Sequence, residues 1–147
     1  MSTFYSINLH ITFSTKNRKP WMREEWNGRL HEYLGGIVNR LGAKPLKIGG
    51  VEDHVHLLIG LKPVHQLSDL MREVKKSSSS WVHQTIDCPT FQWQEGYAAF
   101  SVSPPSCSAV AGYIANQREH HRKNSFRDEL ISMLNNAGIN YDTKYLE

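Results

Sequence analysis

The chain has 147 residues, of which 39% are hydrophobic and 21% charged, and its formal net charge is +3. This length suits one domain with a substantial core, so we expect a single domain over 1–147, with a core at about 3–103 and a C-terminal part at about 106–147. No apolar run approaches the roughly 20 residues that span a membrane, and the N-terminus shows no signal-peptide pattern. The two cysteines lack metal-type spacing, and two in a chain of this size do not imply a disulfide framework. We therefore expect a cytoplasmic globular protein.

The predicted elements follow one another as strand, helix, strand, strand, helix, strand. Alternation of apolar and polar residues, or a short apolar run, predicts strands at 4–14, 44–51, 53–61 and 97–102, with a possible small strand at 91–93. Helical spacing of apolar residues predicts helices at 21–41 and 65–80. This βαββαβ order predicts an α+β, ferredoxin-like (RRM-like) antiparallel sheet in which the first and third strands are adjacent. Additional C-terminal helices are predicted at 106–123 and 125–136, the second capped by Ser125 and ended by Gly138.

Two histidines stand two residues apart in the third predicted strand. His54 and His56 flank Val55, so their side chains point to the same face, roughly 6.5–7 Å apart along the strand. Two imidazoles on one face of a rigid strand are half of a divalent-metal site. Two hydrogen-bonded histidines on a half-exposed sheet would leave the same pattern, so the motif needs support from other residues.

A tyrosine and a glutamine provide that support in the predicted helix at 106–123. Tyr113 and Gln117 are spaced i, i+4, so they project from one face as neighbours. A phenol suits a nucleophile, and a carboxamide oxygen suits a third metal ligand. The ordinary alternative is a packed tyrosine beside a solvated glutamine.

Taken together, His54, His56, Tyr113 and Gln117 resemble the single-tyrosine HUH transposases of insertion sequences, the IS200-like transposase A family. The resemblance extends to 12–20, 93–103 and 138–145, so it covers nearly the whole chain in the right order. It implies the same ferredoxin-like fold. It also implies a homodimer, in which the tyrosine helix of one subunit can complete the histidine site of the other.

The resemblance further implies a chemistry and a substrate. Single-stranded DNA, recognised by hairpins at the ends of a mobile element, is cut and rejoined through a covalent 5′-phosphotyrosine on Tyr113. Mg²⁺ or Mn²⁺ is held by His54, His56 and Gln117. Three alternatives stay open: a domesticated nuclease associated with repetitive palindromes, a nucleic-acid-binding module that cuts nothing, and a metal-dependent hydrolase that uses water. Tyr141 and Tyr145 are alternative nucleophiles by residue type.

Further residues are candidates to support the site or to bind DNA. A carboxylate beside a histidine can orient it through its second ring nitrogen, and Asp53 and Glu52 are the candidates for this role. His121 shares the helix face of Tyr113 and Gln117 and can touch substrate or metal, and His10 can stand beside the histidine pair if the first strand is its neighbour. Basic side chains near an active site suit a phosphate backbone, although a normally solvated surface is the alternative. The candidate DNA-binding residues are Lys16, Arg18, Lys19, Lys75, Lys76, Arg118, Arg122 and Lys123.

Overall fold

The structure, a computed structural model, describes residues 1–146. These residues form four strands and five α-helices. In chain order they are β1 (Ile7–Ser14), α1 (Glu24–Arg40), β2 (Lys44–Gly50), β3 (His54–Leu61), α2 (Leu67–Trp81), β4 (Ala98–Ser101), α3 (Cys107–Ala115), α4 (Gln117–Lys123) and α5 (Phe126–Asn136). The predicted ferredoxin-like α+β fold is confirmed.

The four strands make one antiparallel sheet in the order β2-β3-β1-β4. As predicted, β1 and β3 are adjacent and central. Thr12 lies opposite His56, and Ser14 lies opposite His54. The register therefore brings the end of β1 beside the histidine pair of β3.

Helices α1 and α2 cover one face of the sheet. Alternate residues of the two central strands point into this layer, because successive side chains on a strand face opposite ways. The core that results includes fully buried Ile11, Phe13, Val55, Leu57 and Ile59 from the sheet, with Leu30, Leu34 and Val74 from the two helices.

The C-terminal segment of the same chain covers the opposite face. Phe126, Leu130 and Leu134 of α5 form a second apolar cluster with the partly buried Ala98 and Phe100 of β4. Helix α3 packs closely on β2. The face that carries the histidines is therefore enclosed between the sheet and these helices.

The first strand and the first helix each begin three residues later than predicted, at Ile7 and Glu24, and two further predicted elements differ from the structure. The helix at 106–123 is divided at Asn116, whose backbone is not helical (φ −100°, ψ 23°). Asparagine disfavours helix interiors because its side chain competes with the backbone for hydrogen bonds, and the carbonyl of Asn116 accepts from the first turn of α4. The small strand at 91–93 is reduced to a single bridge between Thr15 and Trp93.

Other details of the prediction hold. The Ser125 side chain accepts a hydrogen bond from the backbone of Asp128 at the start of α5, and Gly138 has the positive φ of 70° that suits glycine after a helix. Across residues 1–146, the helices all fall short of the length and apolar character that a membrane span requires.

Candidate active site

The histidine pair lies at the start of β3, on the face toward the C-terminal helices. His54 and His56 are 1% and 0% exposed, and their ring centroids are 5.1 Å apart. The alternation of the strand places both rings on this side, while Val55 points into the core beneath α1 and α2. The predicted common face is therefore confirmed.

Helices α3 and α4 bring Tyr113 and Gln117 to the same place. The Gln117 Oε1 atom lies 2.8 Å from His54 Nε2, and the Tyr113 ring centroid lies 5.7 Å from that of His56. The break at Asn116 does not separate the two residues from the site. All four predicted residues therefore meet within one chain.

A glutamate that the sequence analysis missed lies at the centre of the cluster. Glu129 Oε1 is 2.8 Å from His56 Nε2 and 3.3 Å from His54 Nε2. Its other oxygen, Oε2, accepts hydrogen bonds from the Tyr113 hydroxyl and from Gln117 Nε2, the latter at 3.2 Å. This one carboxylate therefore touches both histidines, the glutamine and the tyrosine.

A signal for Glu129 was present in the sequence. Phe126, Leu130 and Leu134 recur at helical spacing, which predicts the buried face of α5. Glu129 stands three residues after Phe126 and next to Leu130, within that apolar stripe. A carboxylate on a buried helix face needs polar partners, and here these are the site residues.

The second ring nitrogens of the histidines also have partners. Asp53 Oδ1 lies 2.7 Å from His54 Nδ1, and His10 Nε2 lies 2.8 Å from His56 Nδ1. Burial, together with the nearby His56, lowers the pKa of His10 to about 4, so His10 is neutral at pH 7. Both predicted supporting residues contact the pair.

The other two candidates for support lie differently. The His121 ring centroid is 5.7 Å from that of His54, and within residues 1–146 its buried Nδ1 has no hydrogen-bond partner. Glu52 forms an ion pair with Arg118 at 3.2 Å. Because this pair turns the Glu52 carboxylate toward α4, its position gives no direct support to a histidine.

Electrostatics couple these groups. Burial disfavours the charged His54 imidazolium, but hydrogen bonds to the Asp53 and Glu129 carboxylates outweigh it and raise the pKa of His54 to about 9. Burial would raise the pKa of Glu129, yet hydrogen bonds from the two imidazoles hold it far below its usual range. Burial and the Glu129 carboxylate both raise the pKa of Tyr113. The site therefore contains an ionised Glu129 beside a protonated phenol.

The donor set fits a divalent metal ion. His54 Nε2, His56 Nε2 and Glu129 Oε1 lie within 4.8 Å of one another, and the Gln117 oxygen adjoins them. Imidazole nitrogens with amide or carboxylate oxygens suit first-row divalent ions such as Mn²⁺. A histidine that ligates through Nε2 carries its proton on Nδ1, and Asp53 and His10 are placed to accept those protons.

A cleft of about 400 Å³ opens beside the nucleophile candidate. Its walls come from β1 and from the three C-terminal helices. They include His10, Tyr113, His120, Asn124, Asp128 and Glu129. A substrate can therefore reach Tyr113 without displacing the core.

The predicted basic residues are divided between two regions. Lys16, Lys75 and Lys76 line a groove of about 440 Å³ together with the stretch 92–95. Lys75 donates to the backbone carbonyls of Gln94, at 2.8 Å, and Gly96, and burial lowers its pKa to about 8. The exposed ammonium groups of this groove therefore belong to Lys16 and Lys76 rather than to Lys75.

The remaining basic candidates are mostly paired with other side chains. Arg118 contacts Glu52 at 3.2 Å and Glu24 at 3.8 Å, and Arg122 lies 3.5 Å from Glu119. These carboxylates offset much of the positive charge beside the tyrosine helix. Among the others, the Lys19 ammonium lies over the ring of Trp21, Arg18 is half-buried and Lys123 is exposed.

The ferredoxin-like sheet and the buried histidine cluster together define an α+β protein with a candidate metal site on its enclosed face. The family model described as "Transposase IS200 like" matches residues 3–117, and the chain belongs to this family. Membership places the protein among the transposases, which are enzymes that cut DNA. The predicted family is confirmed.

Individual relatives agree with this assignment. The transposases for insertion sequence element IS200 from Salmonella typhimurium strain LT2 and Salmonella typhi are each 24% identical over 130 residues, and each match covers 82% of this chain and 82% of the relative. A crystal structure of a candidate transposase from Deinococcus radiodurans R1 has a TM-score of 0.65 at 24% identity and covers 80% of this chain and 95% of that one.

A second solved structure shares the fold. It is a REP-associated tyrosine transposase bound to a REP hairpin, with a TM-score of 0.60 at 16% identity, and the match covers 82% of this chain and 74% of that one. The family match ends at Gln117. Helix α5, with Glu129, therefore lies beyond the matched segment.

Proposed function

We propose that this transposase cuts and rejoins single-stranded DNA at hairpin-marked ends of a mobile element, through a covalent 5′-phosphotyrosine on Tyr113. The observation that carries the proposal is the position of the Tyr113 hydroxyl. It is hydrogen-bonded to Glu129 at the histidine cluster, while its ring borders a cleft open to solvent. The REP-associated neighbour is bound to a REP hairpin, and we propose that this protein also binds DNA hairpins.

Within this proposal, His54, His56 and Gln117 hold Mg²⁺ or Mn²⁺. When bound, such an ion polarises a non-bridging phosphate oxygen and stabilises the charge that develops in phosphoryl transfer. Asp53 and His10 fix the ring orientations through the outer nitrogens. These two contacts keep both Nε2 atoms directed at one point.

The proposed cleavage exchanges one phosphate ester for another. The Tyr113 oxygen attacks the phosphorus and forms a new P–O bond, while its proton leaves along the hydrogen bond to Glu129. The bond to the 3′ oxygen breaks, and that oxygen becomes a 3′-hydroxyl by taking up a proton from solvent, to which Glu129 releases the proton that it received. In rejoining, a DNA 3′-hydroxyl attacks the tyrosyl phosphate and releases the phenol, so that no external energy source is needed.

The experiment follows the covalent adduct. Full-length protein with Mn²⁺ is incubated with end-labelled single-stranded DNA from the flanks of its own gene, with Tyr113→Phe in parallel, and analysed on a denaturing gel. We expect an adduct that disappears in Tyr113→Phe and in EDTA. Cleavage that survives Tyr113→Phe would favour a water-using hydrolase, or Tyr141 or Tyr145 as nucleophile. Hairpin binding without cleavage would favour an inert module.

A second experiment distinguishes an insertion-sequence transposase from a domesticated nuclease. The curated relatives support an insertion-sequence transposase, and the REP-associated neighbour suggests the domesticated alternative. Cleavage of flanking hairpins followed by joining to a second DNA strand supports the first. Cleavage limited to dispersed palindromes of the host, without joining, would favour the second.

We further propose that one chain is sufficient for cleavage, since Tyr113 lies beside the histidines of its own chain. A homodimer that exchanges tyrosine helices remains the alternative from the family resemblance. The test mixes Tyr113→Phe with His56→Ala in equal amounts. Cleavage within one subunit leaves the mixture inactive, because each chain lacks one essential group. Recovery of adduct formation in the mixture would show that the helices act across the dimer.

A further inference from the structure

We propose that Glu129 is a direct carboxylate ligand of the divalent ion, completing a set of two imidazoles, one amide oxygen and one carboxylate oxygen. The inference rests on the proposed function, because it concerns the ion of the same site. It adds a residue of α5, which lies outside the segment matched by the family model.

The first argument is the spacing of the donor atoms. Glu129 Oε1 lies 2.8 Å from His56 Nε2 and 3.3 Å from His54 Nε2, and Gln117 Oε1 lies 2.8 Å from His54 Nε2. Ligands that occupy neighbouring octahedral positions at about 2.1 Å from an ion are roughly 3 Å apart. These three separations match those of neighbouring ligands in a coordination shell, and the ligand atoms of His54, His56 and Glu129 all lie within 4.8 Å of one another.

The second argument is charge. Two imidazoles and an amide are neutral, whereas Mg²⁺ and Mn²⁺ favour anionic oxygen ligands. Within residues 1–146, Glu129 supplies the one negative charge that touches both Nε2 atoms. The Asp53 carboxylate contacts the opposite nitrogen of His54, so it acts through the ring and not at the ion.

The third argument is burial. The Glu129 side chain is 9% exposed, and within residues 1–146 it forms ion pairs with the two histidines. A buried carboxylate is costly unless it is paired or coordinates a metal. A divalent ion at this point would satisfy the carboxylate and both rings together.

The second carboxylate oxygen of Glu129 contacts the proposed nucleophile. Glu129 Oε2 accepts a hydrogen bond from the Tyr113 hydroxyl, while Oε1 faces the histidines. One side chain therefore joins the metal ligands to the nucleophile, and it orients the phenol at a fixed position relative to the ion.

The test measures metal binding without DNA. Mn²⁺ is titrated into the full-length protein by calorimetry, with bound ion counted by electron paramagnetic resonance, for the wild type, Glu129→Gln and Asp128→Asn. Glu129→Gln removes the charge and keeps the shape. Asp128→Asn removes the same charge from an exposed neighbour in the same first turn of α5, so it controls for net charge and helix-dipole effects.

We expect Glu129→Gln to weaken Mn²⁺ binding by at least about tenfold, since even residues that only orient ligands cost about 10- to 100-fold. Asp128→Asn should leave the affinity unchanged. Equal affinities for the wild type and Glu129→Gln would overturn the assignment while leaving the proposed function intact. A wild-type protein that binds no Mn²⁺ would instead contradict the metal requirement of the proposed function.

A measurement on the wild type guards against a variant that does not fold. Infrared difference spectra of protein with ¹³C-labelled glutamate carboxylates report directly on coordination. We expect a glutamate carboxylate band to shift when Mn²⁺ is added. Glutamate bands that stay unchanged at saturating Mn²⁺ would overturn the assignment.

Discussion

The docking of the tyrosine helix depends on a glycine in the edge strand β2. A Cβ atom at Gly49 would lie 2.8 Å from the carbonyl oxygen of Ile114 and 3.0 Å from its Cγ2 atom. Ordinary contacts of a Cβ atom begin at 3.4 Å, so the deficit to the carbonyl oxygen is about 0.6 Å. The variant Gly49→Ala must therefore move the backbone of α3, directly after Tyr113.

The size of the effect follows from this displacement. Overpacking of this kind costs about 1–3 kcal/mol of stability. A misplacement of 1 Å at a reacting group costs about 100-fold in rate, so a shift of about half that size should cost about tenfold. We expect the single-turnover rate of adduct formation by Gly49→Ala to fall about tenfold. The melting temperature and the rate on labelled single-stranded DNA are measured together.

Gly112→Ala is the matched control. It adds the same methyl group to α3, one residue before Tyr113, where no atom of the described residues beyond the neighbouring helix backbone lies within 4 Å of the new Cβ atom. Alanine in place of glycine at this exposed helical position should stabilise the protein by about 0.5–1 kcal/mol and leave the rate unchanged. A wild-type rate for Gly49→Ala would refute the idea that the contact of α3 with β2 positions the nucleophile.

Three further perturbations test the DNA groove, a buried histidine and the support of the metal site. Replacing Lys16 and Lys76 together by alanine should weaken single-stranded DNA binding and reduce the slope of log affinity against log salt concentration by about 1.4. Lys62→Ala, at the other end of β3, is the control. An unchanged slope in the double variant would show that the groove does not bind DNA. Burial, with Lys47 nearby, lowers the pKa of His31 to about 4 from 6.5, so the unfolded chain binds more protons and stability falls as the pH drops from 6.5 toward 4. Between pH 7 and pH 4.5, the free energy of unfolding measured in urea should fall by about 2 kcal/mol less for His31→Gln than for the wild type. An equal fall in both proteins would show that His31 is not the source of this pH dependence. Asp53→Asn should weaken Mn²⁺ binding about 10- to 100-fold by calorimetry, and wild-type affinity would show that Asp53 does not support His54.

Short-range sequence patterns were sufficient to predict the main strands and helices. They also predicted that His54 and His56 share one face and that Tyr113 and Gln117 share another. The alternation along β1 and β3 follows from a period of two residues, so it predicts both the strands and the common face of His54 and His56. The i, i+4 spacing of Tyr113 and Gln117 survives the break at Asn116, because both residues still face the cluster. The break itself depends on a backbone angle at one residue, which the periodicity of neighbouring side chains does not specify.

The sequence by itself determined the order of the elements and the strand that carries the histidines, because both depend on residues near one another in the chain. It also determined the family, because the order of motifs along the whole chain can be matched without knowing which of them are in contact. Tertiary structure alone decided that His10 lies against His56, that Lys75 is bound to backbone carbonyls, and that Glu129 lies between the histidines and Tyr113. These contacts join residues 16 to 75 positions apart. They depend on the sheet register and on how α5 packs over the sheet, and no local pattern specifies such distances in space.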